Sequence, residues 1–190
     1  MKKWTSLVVL CALFLGLETY AQDAIEEFEF EEIISSITDE KSILERTETF
    51  ANHSLLLNAL RATNLDKVLN YNGEFTVFAP SNRAFQKLSQ TTIDKLYNPE
   101  NKRILTAMLS YHIVADKLSA SSILKAMCRG NGIAKFTTIQ GEEITATMHG
   151  IDIVLTDKSG NSATIIAADS IQSNGIIHEI DAVFVPEKML

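Results

Sequence analysis

Cysteine is nearly absent from this chain: two in 190 residues, Cys11 and Cys128. Cys11 falls in an apolar N-terminal run, and if that run is removed as a leader only Cys128 survives. No intramolecular disulfide is then available. The fold must be held by its core, which 46% hydrophobic content over this length can supply. Aromatic residues and methionines show no surplus beyond what such a core would use. Basic clusters are missing as well. The net charge is −7, which argues against nucleic acid and against an anionic membrane surface as partners. The apolar run at 7–17 is shorter than the roughly 20 residues a membrane helix needs.

Catalytic constellations are equally sparse. The four histidines, His53, His112, His149 and His178, include no pair at i, i+4, and no cysteine pair completes a zinc site. A metal would require His112 and His178 to converge with a carboxylate, a rarer arrangement than core or rim histidines. There is no Gly-x-Ser-x-Gly elbow and no glycine-rich phosphate loop. Cys128 next to Arg129 lacks a placed base, and Glu142-Glu143 reads as a solvated hairpin tip. No catalytic residue, metal ligand or cofactor is assigned. Cys128 itself is expected to be a small buried hydrophobe near a helix end, with an exposed thiol pairing between chains as the alternative.

What the chain does contain begins with an export signal. Lys2 and Lys3 precede the apolar run, and Thr19 and Ala21 stand at −3 and −1 of a cleavage site. A cleaved leader at 1–21 would take two of the 17 basic residues and one of the 24 acidic ones, leaving 15 and 23. Residues 22–40 are acidic, interrupted by Phe28, Phe30, Ile33, Ile34 and Ile37. That segment reads as a spacer, or as an amphipathic stretch that orders on a partner. One domain is expected over 41–187, with a short tail at 188–190.

Within that domain the first half is helical in pattern. Ser54 is the expected cap of a helix carrying Leu56, Ala59 and Leu60. A strand at 75–79 stops at Pro80, and Ser81 caps the next helix. Asn98-Pro99-Glu100 opens a helix burying Leu105, Met108 and Leu109, and a last one lies near 121–127. After Gly132 the texture becomes strand-like. Strands are expected at 136–139, through Ile144, Ala146 and Met148, through Ile151, Ile153 and Leu155, at 163–167 and at 176–185, the last ended by Pro186. Helices followed by hairpins indicate an α+β fold, not a doubly wound sheet.

Four stretches then match one family in order and spacing. Residues 76–85 (TVFAPSNRAF) resemble the first signature of fasciclin-type (FAS1) domains, and Tyr111-His112-Ile113-Val114 resembles that family's Tyr-His motif. Residues 138–144 are similar to its Thr-Leu-x-Gly hairpin, and residues 173–181 (SNGIIHEID) resemble its second signature. The resemblance implies a wedge-shaped β-sandwich core with helices packed along one side. It also implies an exported interaction module, adhering to a cell surface, a matrix or a protein. A bacterial-type leader points to surface polysaccharide, matrix or an envelope protein. The alternative is a periplasmic or secreted carrier of a small amphipathic ligand.

In animal members the Tyr-His motif has been linked to receptor binding, which nominates Tyr111 and His112, although Tyr111 closing a helix against the core is the stronger reading. Much of the motif is expected to be scaffold. Thr76 and Phe78 should lie on one strand face, opposite Phe75, Val77 and Ala79. Pro80 and Ser81 should end the strand and cap the helix, and Asn174-Gly175 should make a tight turn. His178 and Asp181 are expected to be a buried, hydrogen-bonded pair of polar groups. With one domain and no anchor, the chain would bind weakly and repeatedly, self-associate weakly, or join a larger assembly.

Overall fold

The computed structural model describes residues 41–70 and 73–185. The expected leader, acidic extension and tail, along with Pro186 and the first residue of a turn expected at Asn72-Gly73, lie outside these. Among the described residues there are seven α-helices: α1 (Ile43–Thr49), α2 (Ser54–Thr63), α3 (Leu65–Leu69), α4 (Asn82–Gln86), α5 (Gln90–Tyr97), α6 (Lys102–Tyr111) and α7 (Ala120–Arg129). Seven strands, β1 (Phe75–Pro80), β2 (Ile113–Val114), β3 (Ile133–Thr137), β4 (Glu143–His149), β5 (Asp152–Thr156), β6 (Ser162–Gln172) and β7 (Gly175–Ile180), make one sheet in the order β2-β1-β7-β6-β5-β4-β3. The fold is α+β, as the pattern of elements indicated.

Serine caps start most of these helices. Ser42, Ser81, Ser89 and Ser119 each accept the backbone N–H three residues on, satisfying a donor that the first turn leaves unpaired. At α1 the cap is reciprocal, because the Glu45 carboxylate accepts from the Ser42 N–H at 2.7 Å. Ser54 is different. It is the first residue of α2 and caps nothing; Asn82, 27 residues beyond Leu55, accepts the Leu55 N–H at 3.0 Å. Ser54 instead donates to that same Asn82 oxygen.

The sheet is mixed. β1 pairs parallel with β7 from Phe75↔Gly175 to Pro80↔Ile180, while β3 to β7 form an antiparallel meander. A bridge between Val114 and Thr138, and the bond from Ile139 N–H to the Ile113 carbonyl, join the two ends of the strand order. The strands therefore curl towards closure, with fewer open edges. Strands β1 and β7 are covered on both faces. Val77, Ala79 and Ile177 meet the helices, packed with Leu56, Leu60, Met108 and Leu109. Phe78 and Ile180 face the interior with Ile144, Leu155 and Phe184. That double burial explains why both strands are almost continuously apolar.

Several expected elements differ in extent. The closing strand ends at Ile180 and not at 185, because its parallel partner ends at Pro80, which has no N–H to continue the ladder. The strand expected as buried at 163–167 runs to Gln172 and is mostly half-buried or exposed after Ala163. β5 pairs only Ser162 to Thr164, and two irregularities follow along β7. Ile151 does not continue the alternation of β5; it sits in the β4–β5 turn, 93% exposed. Cys128 is exposed, which removes the expectation of a buried thiol. Asp181 is half-exposed and does not bond His178. No helix of the described residues is long and apolar enough to cross a membrane.

Candidate functional site

The motif residues act as clips between elements. Thr76, fully buried in β1, donates to the Asp116 carbonyl at 2.6 Å and accepts from the Leu118 N–H at 2.8 Å. One hydroxyl thus ties the segment before α7 to the central strand. Asn174 accepts the Ile43 N–H at 2.8 Å, and its amide donates to the Leu69 carbonyl. It locks α1 and the end of α3 onto the β6–β7 turn. Gly175 follows at φ 151°, where a Cβ would collide with the Phe75 carbonyl. Pro80 ends β1 opposite Ile180, and Ser81 caps α4 through the Ala84 N–H. Phe78 stacks on the His178 ring at 5.7 Å.

Two histidines do the same with both ring nitrogens. His112 Nδ1 donates to the Met108 carbonyl at 2.8 Å, which fixes the tautomer, so Nε2 accepts the Phe184 N–H at 3.1 Å. His178 Nε2 donates to the Leu118 carbonyl at 2.7 Å, and Nδ1 accepts the Asp169 N–H at 3.3 Å. Both side chains are neutral bridges between backbone segments, with no nitrogen left over for a metal ion. Burial pushes the His112 pKa down to about 4, only partly opposed by the Met108 carbonyl. Burial lowers His178 too, against the Leu118 carbonyl and Asp169. His53, edge-on to Phe50, is also lowered by burial, with the Glu179 carboxylate 3.9 Å away opposing the shift. Tyr111 is 1% exposed; its hydroxyl donates to the Glu143 carbonyl at 2.8 Å, joining α6 to β4, and burial raises its pKa.

Where the two signatures meet, at the C-terminal ends of β1 and β7, a cleft of about 300 Å³ opens between α4 and β6. It is lined by Ser81, Arg83, Lys87, Ile166 and Asp181. Lys87 Nζ donates to the Asp181 carbonyl at 2.7 Å and lies 3.3 Å from its carboxylate. The other Asp181 oxygen accepts the Thr164 N–H at 2.8 Å. Ile166 is 54% exposed.

A fasciclin-domain family model matches residues 51–186. The chain belongs to the fasciclin domain family. Protein sll1483 of Synechocystis is 32% identical over 98% of this chain and 99% of its own length. The immunogenic protein MPB70 of Mycobacterium bovis is 35% identical over 65% of this chain, which spans 55% of that protein. Among solved structures, a FAS1 domain pair from the insect cell adhesion molecule Fasciclin I superposes with a TM-score of 0.62 at 20% identity. The match covers 78% of this chain and 52% of that one, and it shows a shared fold.

In this fasciclin domain, the nominated binding pair is interior. Tyr111 and His112 are each 1% exposed and spend their polar atoms on backbone partners. They present no surface to a partner in this conformation. Thr76, Phe78 and His178 are fully buried, and Ser81 nearly so. What sequence reasoning missed is the company that Ser81 and Asp181 keep. Arg83 and Lys87 follow Ser81 within two turns, but nothing local indicates that Ile166 and Asp181 come to face them.

Proposed function

We propose that this chain is an exported interaction module that adheres through its surface to polysaccharide, matrix or an envelope protein. The observation that carries the proposal is the commitment of the motif's polar atoms to backbone clips. With Thr76, Tyr111, His112, Asn174 and His178 all holding elements together, the signatures specify a rigid scaffold, and recognition falls to exposed residues around it. The leader pattern supports export, and the likeness in fold to an insect cell adhesion molecule is in keeping with a binding role. We read the role as noncatalytic, because Thr76, Tyr111, His112, Asn174 and His178 spend their side-chain polar atoms on backbone partners.

The test is protease accessibility of a tagged protein on intact producing cells, combined with capture of purified domain by isolated envelopes and polysaccharide. Surface exposure with saturable capture is the expected result. Full protection until the envelope is broken, with no capture, would refute direct adhesion.

A further inference from the structure

The cleft between α4 and β6 pairs two cations with an apolar wall on a chain whose net charge is −7. Its residues divide into those already engaged and those still available. Asp181 is spent on Lys87 and on the Thr164 N–H. Lys87 retains further N–H capacity after bonding the Asp181 carbonyl and carboxylate. Ser81 accepts from the Ala84 N–H, which leaves its own O–H free to donate. Arg83 is exposed and has no ion pair among the described residues. Its planar guanidinium is therefore open to a bidentate carboxylate.

We propose that this cleft binds the carboxylate of a uronic-acid residue in an acidic polysaccharide, with Arg83 and Lys87 holding the carboxylate and Ile166 beneath the sugar ring. The proposal rests on the interaction-module reading and names the partner class. Three observations favour a glycan. The exposed Ile166 side chain offers an apolar surface to the C–H face of a pyranose. Next to it along β6 lies a face rich in hydroxyls. Thr164 and Ser162 share the Ile166 side of the strand, opposite the inward Ala163 and Ile165. Thr156 and Thr145 continue that face across β5 and β4, in register with Ser162, and Thr156 and Ser162 hydroxyls lie 3.1 Å apart. Such a surface matches the hydroxyls of neighbouring sugars. Finally, the chain's overall negative charge disfavours dense polyanions, so one carboxylate for every few sugar units fits better than a run of acidic side chains.

The experiment uses a hyaluronan hexasaccharide, which carries one carboxylate per disaccharide, titrated into the mature chain by calorimetry or NMR shift mapping. Chitohexaose serves as the uncharged control and a decaglutamate peptide as the peptide control. The expected result is binding of the hyaluronan probe that weakens at least tenfold in Arg83→Gln and falls with added salt, with no binding of chitohexaose. Arg83→Gln should melt with the parent protein, because the exposed Arg83 side chain makes no hydrogen bond or ion pair among the described residues. Lys87→Gln should weaken binding as well. Absent binding of the hexasaccharide, or binding unchanged in Arg83→Gln, would overturn the proposal. Decaglutamate bound as tightly with the same Arg83 dependence would also overturn it, in favour of an acidic peptide. Envelope capture is measured in parallel. Equal capture of parent and Arg83→Gln sinks the glycan cleft and leaves the interaction module standing, whereas no capture of either sinks the module itself.

Discussion

Acidification offers a direct test of the histidine clips. His112 is buried and neutral, with its pKa pushed down to about 4 from an ordinary value near 6.5. The folded state therefore binds fewer protons than the unfolded chain throughout the interval between those values. Stability must fall as pH drops through that interval, and the contribution is complete only above 6.5. A shift of this size corresponds to roughly 3 kcal/mol, of which about 2 kcal/mol is lost by pH 5. Protonation acts through an identifiable bond: Nε2 would carry a proton facing the Phe184 N–H, and an acceptor would become a second donor. His178 and His53 are shifted in the same direction by burial and add to the loss. The assay is urea denaturation at pH 7, 6 and 5 with unfolding free energies extrapolated to water. The expected decline between pH 7 and pH 5 is at least about 2 kcal/mol. His112→Gln should be less stable at pH 7 yet show a shallower pH dependence. A flat profile for the parent, or an unchanged slope in the variant, would refute the assignment of His112 as a buried neutral bridge.

Gly175→Ala should cost at least about 3 kcal/mol, since the new methyl meets the Phe75 carbonyl and the residue sits at positive φ. Gly150→Ala, also at positive φ but with open space around it, should cost only about 1 kcal/mol by the same denaturation assay. Asn174→Ala should lose about 2 kcal/mol by stranding the Ile43 N–H and the Leu69 carbonyl; a cost under 0.5 kcal/mol would count against the clip, by that same estimate. Tyr111→Phe should cost about 1 kcal/mol through loss of its bond to Glu143 while leaving envelope capture intact. A loss of capture at unchanged stability would restore a recognition role to that side chain. Cys128 is exposed in the native state, so a thiol reagent should label it without denaturant; labelling only after unfolding would contradict the structure.

The parts of the fold readable in the sequence are those governed by neighbours along the chain. Alternation assigned Phe78 to one face of β1 and Val77 and Ala79 to the other, and both packings are present. Ser81 three residues before Ala84 announced a cap that the structure contains. α1 carries an equally local signal, the capping box of Ser42 with Glu45 three residues on, although its apolar pattern is too short to predict a helix by periodicity. Other features depend on residues far apart. The cap of α2 comes from Asn82, whereas a reading confined to neighbours along the chain assigns it to Ser54. β7 stops at Ile180 because a strand a hundred residues earlier ends in proline, although the apolar run itself continues. Cys128 sits on an outward-facing turn of α7 between the buried Met127 and the helix end, a distinction of one position that composition cannot resolve.

The same division separates scaffold from site. A clip such as Thr76 or Asn174 must be one residue type at one place, because it satisfies specific backbone groups in a buried setting where an unpaired group costs about 1–3 kcal/mol. Such positions make a motif. In the surface cleft the Arg83 and Ile166 side chains bond no backbone group, and the bond from Lys87 to the Asp181 carbonyl is solvent-exposed, so replacing any of the three strands no buried group. Recognition can therefore be altered at these exposed positions, Arg83 within the first signature among them, while the buried clips keep the fold. For this chain, that moves the search for a partner away from Tyr111 and His112, where the motif is strongest, and towards the exposed rim where the two signatures end.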